Sequence, residues 1–107
     1  MGNIKHKNIR RGYPLPRGTT SLKDGINFSI FSRSATAVTL VIQYLDEKHE
    51  KTNKCFIPLD PEENRTGDMW HILLQAQKQS FTYGYQIRHD NQQTKETDPI
   101  LLDPYAR

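Results

Sequence analysis

The chain reads Val38-Thr39-Leu40-Val41-Ile42-Gln43-Tyr44-Leu45 over its most apolar stretch. Most of these residues are aromatic or branched at Cβ, and both types favour extended backbone. The stretch is much shorter than the ~18 apolar residues that would indicate a membrane span. It is therefore predicted to be a largely buried β-strand of a small domain.

Four further strands are predicted around this one. Residues 25–32 alternate between apolar and polar side chains as far as Ile30, which is typical of a half-buried strand. The other three predicted strands are Lys54–Leu59, Met69–Leu74 and Ser80–His89. Pro58 places the first of these near a sheet edge, because proline cannot donate to a neighbouring strand.

The spacing of the strands predicts the fold class. Leu and Gln favour a competing helix over residues 68–79, but Trp70–Leu74 shows no polar face at helical spacing. A chain of 107 residues makes one domain, and it is too short for a (β/α)8 barrel of roughly 200 residues or more. Short strands separated by turns then predict an all-β antiparallel β-sandwich.

Basic residues are concentrated at the N-terminus. The chain has 15 Lys and Arg against 12 Asp and Glu, and residues 1–23 contain six bases and no acid. We expect residues 1–11 to form a flexible basic arm. A nucleic-acid-binding protein would instead present a basic stripe on its folded surface, so no nucleic-acid partner is expected.

The sequence shows no catalytic or metal-binding pattern. Cys55 is the only cysteine, and none of the four histidines lies at metal-ligand spacing from it or from another histidine. No cofactor is expected, and this chain is predicted not to be an enzyme by itself. The N-terminus lacks the apolar core of a secretory signal, so a cytoplasmic location without membrane contact is expected.

Three aromatic residues are candidates for carbohydrate binding. Trp70, Tyr83 and Tyr85 lie on two predicted strands that are close in sequence. Aromatic rings can stack against the apolar faces of sugars, while Tyr and Trp also supply a polar group. The competing interpretation is that they are core residues, because Trp70, Ile72 and Leu74 share one strand face.

Several short motifs carry a family resemblance. They are Gly12-Tyr13-Pro14-Leu15-Pro16, Asp24–Ser32 followed by Ala35–Leu40, Met69-Trp70-His71, Tyr83-Gly84-Tyr85-Gln86-Ile87 and Leu102-Asp103-Pro104-Tyr105-Ala106-Arg107. In this order they resemble the N-terminal domain of isoamylase-type glycogen debranching enzymes of the α-amylase superfamily. Gln86 stands where that family usually has arginine.

The resemblance implies an immunoglobulin-like antiparallel β-sandwich of carbohydrate-binding module family 48, here residues 12–98. It also implies a parent glycoside hydrolase that cleaves α-1,6 branch linkages with a (β/α)8 barrel absent from these residues. Residues 99–107 would then link to that barrel, its partner, with Leu102, Asp103, Pro104, Tyr105 and Arg107 as interdomain contacts. Two alternatives stay open: the apolar run at 100–102 is a last edge strand, or the whole chain is an autonomous module that binds α-glucan such as glycogen or maltooligosaccharide.

Overall fold

The structure is a computed structural model that describes residues 8–45, 48, 51–75 and 80–102, with the backbone alone for 51–53. The described strands are β1 (Ile9–Arg10), β2 (Gly18–Leu22), β3 (Gly25–Phe31), β4 (Ala37–Leu45), β5 (Lys51–Pro58), β6 (Arg65–Thr66), β7 (Met69–Leu74) and β8 (Phe81–Arg88). Within these residues, no helix is long and apolar enough to cross a membrane.

The strands form two antiparallel sheets. One sheet has the order β1-β7-β3-β2, with β6 also paired to β7, and the other has the order β5-β4-β8. The register places Phe28 beside Ile72 in the first sheet and Leu40 beside both Ile57 and Tyr85 in the second. The predicted all-β antiparallel sandwich is confirmed, and each of the five predicted strands is present.

The core lies between the two sheets and is built from alternate residues of the long strands. Its buried members are Phe28, Ile30, Ala35, Val38, Leu40, Ile42, Tyr44, Ile57, Leu59, Trp70, Ile72, Leu74 and Tyr85. Aromatic rings join the sheets, because Phe28 of β3 contacts Tyr83 of β8 edge-to-face at 5.2 Å between ring centroids. Edge-to-face pairs of this kind add to the stabilisation that burial alone provides.

A short segment, residues 11–17, covers the other face of the five-stranded sheet; we call it the crossing segment. It leaves β1 on one side of β7 and reaches β2 on the far side of β3. Beneath it lie the buried side chains of Asn27, Ser29, His71 and Leu73. The Nδ1 of His71 lies 2.8 Å from the carbonyl oxygen of Arg11, and its Nε2 lies 2.8 Å from the hydroxyl of Thr66. Strands β3 and β7 are therefore buried on both faces.

The sheets extend beyond the domain boundaries predicted from the sequence. Ile9 and Arg10, expected in a flexible arm, pair with Leu74 and Leu73 of β7. At the other end, Leu101 was expected in a linker, but its backbone exchanges hydrogen bonds of 2.7 and 2.9 Å with Tyr85. Within residues 100–102, strand-like pairing with the sheet is thus present at Leu101, opposite Tyr85. Both pairings have the same physical cause, since an exposed strand edge offers unpaired backbone groups to a neighbouring segment.

Candidate functional site

The structure places the three candidate sugar-binding aromatics in or against the core. Trp70 is 0% exposed and Tyr85 is 1% exposed, whereas Tyr83 is half-buried. Tyr83 and Tyr85 contact each other edge-to-face, with ring centroids 6.0 Å apart. A ring must present a face to solvent before a sugar can stack on it. We therefore leave Trp70 and Tyr85 out of the candidate sugar surface, and their competing interpretation as core residues is confirmed.

Trp70 is shielded from solvent by a charged residue. The guanidinium carbon of Arg65 lies 4.9 Å from the centroid of the indole ring, in cation–π geometry. Arg65 belongs to β6, which pairs with β7 beside Trp70. The buried Nε1 of Trp70 has no hydrogen-bond partner among the described residues. The Trp70 side chain therefore packs inside the protein and presents no ring face to solvent.

The candidate interdomain contacts are only partly described. Leu102 is 82% exposed and Leu101 is 49% exposed. Asp103, Pro104, Tyr105 and Arg107 lie outside the described residues. Next to Leu101, Ile100 packs tightly on β8, because a Cβ added at Gly84 would lie 2.6 Å from its Cγ2 atom. Two neighbouring leucines therefore project from a segment that is firmly held against the sandwich.

The sequence did not predict a pocket of about 400 Å³ at the end of the three-stranded sheet, where β4 begins and β5 ends. We call it the threonine–amide pocket. Its lining consists of Thr36, Ala37, Val38, Thr39, Pro58, Leu59, Pro61, Asn91, Gln92, Gln93 and Thr94. No lining residue is charged, although a quarter of the whole chain is. Three segments distant in sequence build the pocket, so no local motif could have revealed it.

Hydrogen bonds fix the loop that carries the pocket's amides. The hydroxyl groups of Thr39 and Thr94 lie 2.5 Å apart. The backbone N–H of Asn91 donates to the Thr36 hydroxyl at 3.0 Å. The buried Gln86 side chain donates to the carbonyl of Lys95 at 2.8 Å. These bonds join the loop to β4 and β8 along its length.

Arg88 holds the base of the same loop. Its guanidinium donates to both carboxylate oxygens of Asp98, at 2.8 and 2.9 Å, and to Asp90 at 2.9 Å. The hydrogen bond from Arg88, together with one from the backbone N–H of Lys95, lowers the pKa of Asp98 to about 2. A bidentate arginine–carboxylate pair is among the more directional contacts available to a protein surface. The loop is thus closed by a charge pair outside the pocket lining.

A second cavity, of about 570 Å³, lies between the edges of β1 and β5. Its lining is different in kind, because Arg10, Arg11, Asp60 and Glu63 surround apolar residues that include Ile57 and Ile72. Asp60 is already used by its own loop, where its carboxylate accepts the N–H of Glu62 at 2.8 Å. Within the described residues, no group of three or more His, Cys, Asp and Glu could hold a metal ion.

Two antiparallel sheets with a pocket at one end define a small β-sandwich module. The family model for carbohydrate-binding module 48 (isoamylase N-terminal domain) matches residues 16–106. The chain belongs to this family, as the sequence resemblance indicated.

Named relatives are similar along most of the chain. Isoamylase 1, chloroplastic, from Arabidopsis thaliana is 36% identical over 105 residues, which are 92% of this chain and 13% of the relative. Isoamylase 2, chloroplastic, from the same plant is 41% identical over 101 residues, 89% of this chain and 11% of the relative. The glycogen debranching enzyme of Erwinia tasmaniensis is 37% identical over 103 residues, 92% of this chain and 14% of the relative. The chain thus spans about one eighth of the length of these curated relatives.

Proposed function

We propose that this chain is the non-catalytic N-terminal accessory domain of a debranching glycoside hydrolase. The observation that carries the proposal is the match itself: a module of family 48 covers residues 16–106, and similar chains occur within much longer isoamylases and glycogen debranching enzymes. Hydrolysis of α-1,6 branch linkages in glycogen or a related α-glucan would then be performed by a (β/α)8 barrel elsewhere in the parent protein.

The module's main partner in this proposal is that barrel. Two observations support a domain contact at the C-terminal end of the sandwich. Leu101 is anchored by its backbone to Tyr85, yet its side chain and that of Leu102 are exposed. Adjacent exposed leucines on a fixed backbone can form part of a contiguous apolar patch, the kind of surface that another domain covers. The further contacts expected at Asp103, Pro104, Tyr105 and Arg107 remain part of the proposal.

An autonomous α-glucan-binding module that targets another activity is the second candidate. The uncharged threonine–amide pocket favours a carbohydrate contact, and Tyr83 is the one aromatic candidate from the sequence that keeps partial exposure. In both versions a cytoplasmic location remains a prediction. Nucleic acid is not a proposed partner.

The experiment compares two polypeptides from the same gene: the 107-residue chain and the longest open reading frame that contains it. Each is incubated with glycogen, and the release of linear maltooligosaccharides is measured. We expect release only from the longer protein. A coding sequence without a barrel, or a longer protein that leaves glycogen branches intact, would refute the accessory-domain proposal.

A further inference from the structure

We propose that the outer face of the five-stranded sheet is an interaction surface, and that its partner is an apolar surface with carboxylates on the rest of the longer protein. This inference rests on the proposed function only for the existence of that longer protein. Its evidence is a group of exposed apolar side chains on this face, together with the charges beside them.

The exposed apolar residues of this face lie along strand β3. Phe28 and Ile30 of β3 belong to the core. Side chains alternate along a strand, so Phe31 lies on the outer face, where it is 43% exposed. Tyr13 and Leu15 of the crossing segment lie over the same face and are 56% and 66% exposed. We call Tyr13, Leu15 and Phe31 the outer apolar patch.

The outer apolar patch is held on a fixed support. Two hydrogen bonds join the backbone of Tyr13 to the side chain of Asn27. Further along the segment, the guanidinium carbon of Arg17 lies 5.1 Å from the centroid of the Phe31 ring. The segment therefore follows β3 from Asn27 to Phe31, about 13 Å at ~3.3 Å per residue, with Leu15 between the two contacts. Because the support is already ordered, a partner loses little conformational freedom by binding to it.

The charges beside the patch are basic. Residues 8–23 contain no acid but four exposed bases, Arg10, Arg11, Arg17 and Lys23. A second copy of this face would bring cations against cations, so self-association is disfavoured. A partner that places its own carboxylates against Arg11 and Arg17 is favoured instead. The apolar side chains then provide the contact area, and the charges fix the orientation.

The length of the relatives indicates where such a partner lies. This chain spans about one eighth of the curated relatives it matches, so most of each relative lies outside the matched region. A domain on the same polypeptide is present at high effective concentration, and a contact of modest area is then sufficient. Leu101 lies elsewhere, at the edge of the three-stranded sheet beside Tyr85. The outer apolar patch therefore gives the module a second contact and a defined orientation.

The test is hydroxyl-radical footprinting, read by mass spectrometry, of the 107-residue chain and of the longer protein that contains it. Oxidation of Tyr13, Leu15 and Phe31 should be at least about fivefold slower in the longer protein, because a covered interface excludes water. His89, exposed just after β8, is the internal control and should be oxidised equally in both proteins. Equal oxidation of the patch in the two proteins would overturn the proposal, and so would equal protection of His89.

Two matched leucine variants of the longer protein locate the contact. Leu15→Asp should raise the oxidation of Tyr13 and Phe31 at least about threefold, because a carboxylate in an apolar contact loses its hydration. Leu22→Asp is the control, since Leu22 is also exposed but ends β2, opposite the start of β3. It should leave both oxidation rates unchanged. Equal effects of the two variants, or no effect of Leu15→Asp, would contradict the proposed contact.

The double variant Arg11→Glu and Arg17→Glu tests the charge of the partner surface. In the longer protein it should raise the oxidation of Tyr13 as Leu15→Asp does, because like charges would then face each other. The same double variant of the 107-residue chain should leave the oxidation of Tyr13 unchanged. An unchanged rate in the longer protein would overturn the assignment of carboxylates to the partner.

The remaining outcomes separate this inference from the proposed function. Protection of the patch that appears in the 107-residue chain as its concentration rises would assign the face to a second copy and overturn the proposal. An unprotected patch in a longer protein that debranches glycogen would overturn the patch alone. A protected patch in a longer protein that leaves glycogen branches intact would support the contact and refute the accessory-domain function.

Discussion

The side chain of Asn27 pairs with the backbone of Tyr13 through two hydrogen bonds. Its Oδ1 accepts the Tyr13 N–H at 2.8 Å, and its Nδ2 donates to the Tyr13 carbonyl at 2.9 Å. Asn27 is buried, so both bonds form away from water. The amide therefore gives the crossing segment the same two backbone bonds that a neighbouring strand would supply, and it holds the segment over the outer face of the sheet.

Asn27→Ala should release the crossing segment and destabilise the fold. Two hydrogen bonds between the Asn27 side chain and the Tyr13 backbone would be lost, and each contributes about 0.5–1.5 kcal/mol. We expect the free energy of unfolding in urea to fall by about 1–3 kcal/mol. Ser29→Ala is the matched control, since it removes one bond to the same segment, from the Ser29 hydroxyl to the Pro14 carbonyl, and should cost about 1 kcal/mol. Equal losses in the two variants would contradict this role for Asn27.

Gly12 is the residue that allows the crossing segment to lie so close to the sheet. It has a φ of +79°, and a Cβ there would lie 2.7 Å from both Asn27 Oδ1 and the carbonyl carbon of Ile72. Gly12→Ala should therefore combine backbone strain with overpacking and lower the free energy of unfolding by about 2–5 kcal/mol.

Gly67→Ala is the control for the backbone effect alone. Gly67 also has a positive φ, +61°, but nothing lies within 4 Å of its added Cβ. Its loss should be about 1–2 kcal/mol, the usual cost of a left-handed residue with a side chain. If Gly12→Ala were no more destabilising than Gly67→Ala in parallel urea titrations, the close approach at Gly12 would not matter for stability.

Trp70→Ala should destabilise the domain as a core truncation does. The indole is fully buried between the sheets, and removing a buried aromatic side chain costs about 3–5 kcal/mol. Chemical denaturation measures the loss. A Trp70→Ala protein of unchanged stability that has lost affinity for maltoheptaose would instead support a sugar-binding role for this residue.

The sequence predicts the strands that use the common periodic pattern and misses those that do not. β2 was not predicted because Gly18-Thr19-Thr20-Ser21 is polar. β1 and β6 were not predicted because each is only two residues long. The continuous apolar run Ile72-Leu73-Leu74 indicates that both faces of β7 are buried. The local sequence does not indicate which segment covers the outer face. That cover forms only when the segment around Gly12 folds across the sheet.

The candidate site was less accessible to sequence reasoning than the fold. Aromatic residues on a strand face can stack on sugars or fill a core, and their types alone do not decide which. Tertiary packing decided it, by placing Trp70 and Tyr85 between the sheets. The pocket needed the same information, since Thr39 and Thr94 meet only after β4 and the loop after β8 are assembled.

Removal of the Asp98 carboxylate should make the free energy of unfolding depend less on pH under acidic conditions. Hydrogen bonds from Arg88 and the Lys95 backbone lower its pKa to about 2 in the folded protein, whereas an unfolded aspartate titrates near ~3.9. Because the folded pKa is the lower one, this stabilisation is present above about pH 4 and is lost as the pH falls towards 2. Asp98→Asn should therefore be less stable at pH 7 and change less between pH 4 and pH 2, as measured by urea titrations at each pH.

Arg88→Gln supplies the second arm of this experiment. This substitution removes the principal hydrogen-bond donor to Asp98. The free energy of unfolding should therefore also change less between pH 4 and pH 2. The double variant should be little worse than either single variant, because both remove one interaction. Additive losses would indicate that Arg88 and Asp98 stabilise the loop independently.

The most direct test of the domain-interface account is Leu102→Asp, made both in the 107-residue chain and in the longer protein that contains it. Leu102 is 82% exposed here, so the thermal midpoint of the 107-residue chain should not change measurably. In the longer protein the same substitution should place a carboxylate against a second domain and lower the midpoint by several degrees. An unchanged midpoint in the longer protein would contradict the account that this end of the sandwich packs on a partner domain.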